Sequence, residues 1–229
     1  MRAVILYDNT AALPDVEADW GFACFLETGG KKILFDTGAD GRILMNNMRL
    51  CGVEPAEVDM VFISHAHWDH TGGLETFISI RPCPVFAPVS ALHPRAPRDF
   101  VPVSGALRID EYLYSTGELA GIEQSLVVEE DGWLYVVVGC SHPGVSVILD
   151  EAVRRGPVCG ILGGLHDCRD FDRLAALDWI CGTHCTFYQD EMRAILGSKF
   201  ISGGVGRELI ISWAHCKAGT VSPAGAPVA

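Results

Sequence analysis

The segment Ser64-His65-Ala66-His67-Trp68-Asp69-His70-Thr71-Gly72-Gly73 puts three imidazoles and a carboxylate within six residues. Packing does not call for such a density, and a solvated loop would reach it only by chance. Imidazole suits zinc, iron and manganese, and a carboxylate adds a harder oxygen donor. In an extended segment residues i and i+2 point to the same side, so His65 and His67 can converge on one point. A turn after Trp68 aims Asp69 and His70 at a neighbouring point. One short loop can then serve two metal ions.

The loop follows residues 58–63, an apolar run broken only by Asp59. That run reads as a strand buried on both faces. Further upstream, residues 2–7 read as a first strand. Their apolar stretch is too short for a secretion signal. Residues 22–27 and 32–35 flank Thr28-Gly29-Gly30-Lys31, a hairpin turn. Residues 40–50 have helical spacing and stop at Gly52. Residues 81–105 are Pro-rich and aperiodic, and read as irregular loops around one strand at 85–87. Beyond them come a hairpin (126–129 and 133–138), a helix (145–154), a strand (158–162) and helices at 171–177 and 190–196. Strands and helices thus alternate in a way that suggests sheets covered by helices. The expected organisation is a single domain over residues 1–216, followed by a tail (217–229) without ordered structure.

A chain of 229 residues with 49% hydrophobic and 20% charged residues is a globular protein, not a disordered one. No run of about 18 apolar residues occurs, so no membrane span or membrane partner is expected. Lys and Arg total 17 against 29 Asp and Glu, a net charge of -12. Such a surface repels polyanions and argues against nucleic-acid binding. The groupable basic residues, Arg81, Arg95 and Arg98, read as a solvated loop. Nine Cys without a disulfide-framework spacing suggest a reducing, cytoplasmic setting with no structural disulfide. Cys159, inside Val158-Cys159-Gly160-Ile161-Leu162, reads as a small buried apolar residue.

The histidine-rich segment resembles the H-x-H-x-D-H motif of the metallo-β-lactamase superfamily. The resemblance covers most of the chain. Leu34-Phe35-Asp36-Thr37-Gly38 is similar to the superfamily's upstream Asp-containing turn. Gly139-Cys140-Ser141-His142-Pro143-Gly144 is similar to its third histidine, and Gly182-Thr183-His184-Cys185-Thr186 to its last. The resemblance implies an α/β fold, a four-layered αββα sandwich with metals at one edge of the two sheets. It implies that His65, His67 and His142 hold one ion, and that Asp69, His70 and His184 hold a second. Asp36 would fix the loop through hydrogen bonds without ligating. A narrower resemblance, carried by Gly121-Ile122-Glu123-Gln124-Ser125-Leu126, Gly163-Gly164-Leu165-His166 and the segments above, is to the 7,8-dihydropterin-6-methyl-4-(β-D-ribofuranosyl)-aminobenzene-5'-phosphate synthase-like proteins. Two departures stand out: a short stretch between Gly73 and Ser115, and Trp20 where that branch implies a histidine.

Superfamily members usually carry a metal-bridging Asp between the third and last histidines. Here the strand at 158–162 runs into Gly163-Gly164-Leu165-His166-Asp167. His166 can reach a metal, Asp167 can supply the carboxylate, or His166 can face the substrate as a proton donor. The expected cofactors are two divalent metal ions, zinc preferred over manganese and iron. Two ions about 3.5–4 Å apart lower the pKa of a shared water towards about 7. The expected activity is a dinuclear hydrolase that directs a metal-bound hydroxide at a small-molecule ester, thioester or phosphoester. Asp69 would orient the water, and Asp69 and His166 are the expected catalytic residues. A pterin-substrate transferase displacing pyrophosphate with the same site is the alternative. A third class is a non-hydrolytic metal-binding or di-iron redox protein.

Overall fold

A computed structural model describes residues 1–91, 99–212 and 216. Its strands are β1 (Arg2–Tyr7), β2 (Ala23–Thr28), β3 (Lys31–Phe35), β4 (Met60–Phe62), β5 (Val85–Pro88), β6 (Phe100–Val103), β7 (Leu107–Arg108) and β8 (Leu113–Ser115). They continue with β9 (Leu126–Glu130), β10 (Trp133–Val138), β11 (Val158–Gly163), β12 (Trp179–Gly182), β13 (Phe200–Ser202) and β14 (Glu208–Ile210). The α-helices are α1 (Gly41–Leu50), α2 (Trp68–Thr71), α3 (Leu74–Ile80), α4 (Val145–Ala152), α5 (Phe171–Ala175) and α6 (Gln189–Leu196).

The strands form two seven-stranded sheets, ordered β14-β1-β2-β3-β4-β5-β6 and β13-β12-β11-β10-β9-β8-β7. Both sheets are mixed. In the first, pairing is antiparallel from β14 to β3 and parallel from β3 to β6. In the second it is parallel from β13 to β10 and antiparallel from β10 to β7.

Successive side chains of a strand point to opposite faces, and this sorts the apolar residues into three cores. Ala3 and Ile5 of β1 join Tyr135 and Val137 of β10 in the core between the sheets. Val4 and Leu6 turn outward to Ile43, Leu44 and Met48 of α1 and Phe77 of α3. Leu134, Val136 and Val138 turn outward to Ile148 and Leu149 of α4, Leu174 of α5 and Met192 of α6. The result is the αββα sandwich. Helix α1 begins where expected because the Asp40 side chain accepts the backbone N–H groups of Arg42 and Ile43, a standard N-cap.

Two expectations are corrected. The stretch 81–105 contains a second strand, β6, parallel to β5. Its Pro102 argued against a strand, but β6 lies at the sheet edge, where a missing N–H costs no ladder bond. The expected absence of a disulfide also fails, because Cys159 is bonded to Cys216. Cys159 faces the inter-sheet core, and Cys216 packs against that core from the chain beyond β14. The pair lies 57 residues apart, so no local spacing signals it. With this disulfide, cysteine usage gives no ground for a reducing compartment. Arg81 donates to the Val58 carbonyl at 2.9 Å, while Arg95, Arg98 and the tail 217–229 lie outside the described residues. No helix among the described residues is long and apolar enough to cross a membrane.

Candidate metal centre

The sheets bring the ends of several strands to one edge. Register aligns Val138 with Gly163 and Gly163 with Gly182, so β10, β11 and β12 end at one level. Cys140, His142, His166 and His184 follow within a few residues. On the other sheet Phe35 pairs with Phe62, which sets Asp36 beside the start of the 64–73 loop. The carboxyl ends of parallel strands are the usual place for a site in an open α/β sheet.

The 64–73 loop is held from several sides. Asp36 accepts the Ser64 backbone N–H at 2.7 Å and the Ser64 hydroxyl at 2.6 Å. The His70 carbonyl accepts from both the backbone and the hydroxyl of Thr37, at 2.8 and 2.9 Å. Gln124 donates its side chain to the Ile63 carbonyl and its backbone N–H to the Ser64 carbonyl, at 2.8 and 2.9 Å. A Cβ on Gly139 would lie 2.2 Å from the Ser64 hydroxyl, so only glycine lets β10 come this close.

Two groups of imidazoles result. The rings of His65, His67 and His142 form a triangle with centroids 4.5, 4.7 and 4.8 Å apart. Beside it, His70 and His184 lie 5.2 Å apart, and Asp69 Oδ2 is 3.1 Å from His184 Nε2 and 4.0 Å from His70 Nε2. His65 and His70, 4.1 Å apart, join the two groups. Each of the six residues that the resemblance assigns to metal is therefore at this edge. His65, Asp69, His70 and His184 are buried, and His67 is exposed.

The outward-facing nitrogens have fixed partners. His142 Nδ1 is 2.9 Å from Glu123, His70 Nδ1 is 2.7 Å from Asp36, His65 Nδ1 is 2.8 Å from the Ser64 hydroxyl, and His184 Nδ1 is 2.9 Å from the Asn9 amide oxygen. An ionised carboxylate only accepts, so His142 carries its proton on Nδ1 and leaves Nε2 a lone pair. Such partners fix the tautomer and orientation of metal-ligating histidines. Glu123 also accepts the backbone N–H groups of Gly139, Cys140, Ser141 and His142 at 2.9–3.1 Å. Burial opposes its charge, but the His142 hydrogen bond, the neighbouring His65 and these N–H groups hold its carboxyl at about 2. Asp8 and Asn9, at the end of β1, fix His184 in turn through its backbone N–H at 2.9 Å and its carbonyl at 2.9 Å.

Burial controls the remaining charges. It lowers His65 and His70 to about 3 each, helped by neighbouring imidazoles. It raises Asp36 to about 7 against the pull of His65 and Ser64. Burial also opposes ionisation of Asp69, but hydrogen bonding to His184 and the nearby His70 outweigh it and hold that carboxyl well below the usual range. His65 and His70 are thus neutral imidazoles beside one firmly ionised carboxylate, Asp69. Such a donor set fits a divalent transition metal. His65 Nε2 supplies the direct test of fit, because it is buried and has no hydrogen-bond partner. A buried polar atom without a partner costs about 1–3 kcal/mol, and a metal ion would satisfy it. Asp36, Ser141, His166 and His184 all have positive φ, from 36° to 62°. Non-glycine residues adopt this left-handed region at a cost, typically at functional sites.

Of the two candidates after β11, His166 borders the first group and Asp167 faces solvent. The His166 ring is 5.3 Å from the His142 ring and 5.0 Å from Phe187, and its side chain is 36% exposed. His166 belongs to none of the clusters of three potential ligands among the described residues. The Asp167 carboxylate is 77% exposed and lies 3.3 Å from His166 Nδ1. Trp20 donates from its indole to Asp69 Oδ2 at 2.9 Å and sets its ring edge-on to His184 at 4.9 Å. The sequence reading gave no role to Glu123, Asn9 or Cys140. Glu123 and Cys140 lie within segments that carry the family resemblance, and Asn9 closely follows β1.

The sequence profile of the metallo-beta-lactamase superfamily matches residues 21–158. An uncharacterized protein of Methanocaldococcus jannaschii is 25% identical, over 89% of this chain and 97% of its own length. The 7,8-dihydropterin-6-methyl-4-(beta-D-ribofuranosyl)-aminobenzene-5'-phosphate synthase of the same organism is 23% identical, over 74% of this chain and 81% of its own. The crystal structure of a metal-dependent hydrolase of the beta-lactamase superfamily superposes with a TM-score of 0.73 at 20% identity, covering 93% of this chain and 99% of the other. Profile, relatives and paired sheets agree, and this chain belongs to the metallo-β-lactamase superfamily.

Proposed function

We propose that this protein is a dinuclear metal-dependent hydrolase of a small-molecule ester, thioester or phosphoester. The observation that carries the reading is the partnerless, buried His65 Nε2 where two groups of oriented imidazoles meet. We assign His65, His67 and His142 to one ion and Asp69, His70 and His184 to the other, with zinc preferred over manganese and iron. When bound, such ions supply Lewis acidity and a nucleophile drawn from water at neutral pH.

The chain's own residues do the rest. Asp36, Ser64, Glu123 and Asn9 orient the imidazoles. Asp69, ionised and held by Trp20 and His184, can accept a hydrogen bond from the attacking water and aim it. His166 stands at the rim beside His142, where an imidazole can protonate a departing oxygen. A net charge of -12 favours a small-molecule substrate over a nucleic acid.

A second reading, a transferase that displaces pyrophosphate from a pterin, draws support from the synthase relative. It also draws on Trp20 and Phe187, 48% and 58% exposed, whose rings edge the site and suit a flat heterocycle. Elemental analysis with turnover assays on phosphodiesters, thioesters and a dihydropterin diphosphate separates the readings. The double substitution His65→Ala, His67→Ala should remove at least one ion and abolish turnover. Full metal content in that variant would overturn the assignment. Redox-active iron without turnover of any of these substrates would favour a non-hydrolytic protein.

A further inference from the structure

Cys140 sits at the seam between the two imidazole groups, and the proposed hydrolase gives it no task. It clusters as a potential ligand with His65 and His142, and again with His70 and His184. In each set of three the potential ligand atoms lie within 4.8 Å of one another. Its sulfur is 3.1 Å from His70 Nε2. The residue is 4% exposed, so the sulfur is shielded from competing solvent.

The backbone is arranged to put it there. Glu123 Oε1 accepts the Cys140 N–H at 3.0 Å, and the same side chain orients the His142 ring. Ser141, between them, has φ of 62° and is tied to the Gly164 carbonyl at 2.7 Å. That costly conformation serves a turn in which residues 140 and 142 are delivered to the same edge. A Cβ on Gly164 would lie 3.3 Å from the Cys140 Cα and 2.5 Å from Cys185 Sγ, so glycine keeps the space behind the sulfur open. Asp167, the nearest carboxylate in sequence after β11, is turned to solvent. Among the described residues, Asp36 and Glu123 are committed to orienting histidines, which leaves Asp69 as the one carboxylate facing the centre.

The geometry points to Cys140 as a metal ligand of this centre, its thiolate sulfur shared between the ion held by His65 and His142 and the ion held by His70 and His184. The inference rests on the metal centre proposed above. As the sulfur–metal bond forms, the thiol proton leaves to solvent, since a coordinating thiol is deprotonated. The thiolate brings a second negative charge to a set of ligands that otherwise carries only that of Asp69. A soft sulfur donor also biases the centre towards zinc or iron and away from manganese. Cys185 lies behind Cys140, its sulfur 3.8 Å from the Cys140 carbonyl, and is not itself in a ligand cluster among the described residues.

Cobalt(II) reconstitution of the metal-stripped protein tests this, with cobalt counted by elemental analysis and the near-ultraviolet spectrum recorded. The wild type should show a sulfur-to-cobalt charge-transfer band. Cys140→Ser should retain bound cobalt but lose the band, and Cys185→Ser should keep it. Should Cys140→Ser fail to fold, X-ray absorption of the zinc-loaded wild type replaces it, with a sulfur scatterer expected at about 2.3 Å. Bound cobalt without a band, a band lost in Cys185→Ser and kept in Cys140→Ser, or a zinc shell of nitrogen and oxygen alone overturns the assignment and leaves the metal centre standing. A wild type that takes up no metal fails the centre itself, and Cys140 with it.

Discussion

Glu123→Gln probes how much of the site is built by a residue that touches neither metal nor substrate. The carboxylate accepts three backbone N–H groups on Oε1, and the His142 N–H and Nδ1 on Oε2. A glutamine of the same shape can keep its oxygen towards the first three. Its amide nitrogen then meets the His142 N–H donor to donor. That strands a buried N–H, at about 1–3 kcal/mol, and removes a charge-assisted bond to Nδ1 of about 1.5–3 kcal/mol. Relief from burying a charge offsets part of this, so about 3 kcal/mol of lost stability is expected. For a chain of this size that is a fall of roughly 6–12 °C in Tm. The amide can also donate to Nδ1, which moves the ring proton to Nε2 and removes the lone pair facing the centre. Metal affinity should then fall about 10–100-fold. Denaturation of the metal-stripped variant reads the first effect, and competition with a chromophoric zinc chelator reads the second. A variant within about 0.5 kcal/mol of wild type that binds zinc equally well would refute the reasoning.

His166→Ala should keep full metal content and lose turnover; metal lost in proportion to turnover would make His166 a ligand instead. Reduction of Cys159–Cys216, which are 57 residues apart, should destabilise the protein by up to about 4 kcal/mol in the chain-entropy account. Equal thermal midpoints with and without reductant would contradict that. Metal-free protein should weaken as pH falls from 6.5 towards about 5. His65 and His70, lowered to about 3 from 6.5, stay neutral in the fold while the unfolded chain takes up two protons. Asp36, raised to about 7 from 3.8, holds one proton in the fold that the unfolded chain releases. From these three groups the unfolded state's excess of bound protons grows from about a quarter at pH 6.5 to about one near pH 5, where the slope reaches about 1.4 kcal/mol per pH unit. A denaturation midpoint that stays level or rises towards acid would show that the burial of these histidines is misjudged.

The metal-rich loop was legible because its chemistry is local. His65, His67, Asp69 and His70 lie within six residues, and no apolar period explains them. Strands such as β1 and β10 and helix α1 were legible for a similar reason, since continuous apolar runs and helical spacing are short-range signals. His142 and His184 could be tied to that loop only through resemblance, because nothing in their own spacing says where β10 and β12 end in space. Register decides that, by setting Val138, Gly163 and Gly182 at one level. Tertiary structure alone showed that Glu123 grips four consecutive N–H groups, that Asn9 from the end of β1 orients His184, and that Cys140 faces both imidazole groups. It also placed His166 at the rim, Pro102 on an edge strand, and Cys216 against Cys159. A residue's type limits what it can donate, accept or ligate, and the sequence displays that directly. Which partner it meets depends on closing the two sheets over a shared core, and contacts between residues many positions apart leave no pattern along the chain.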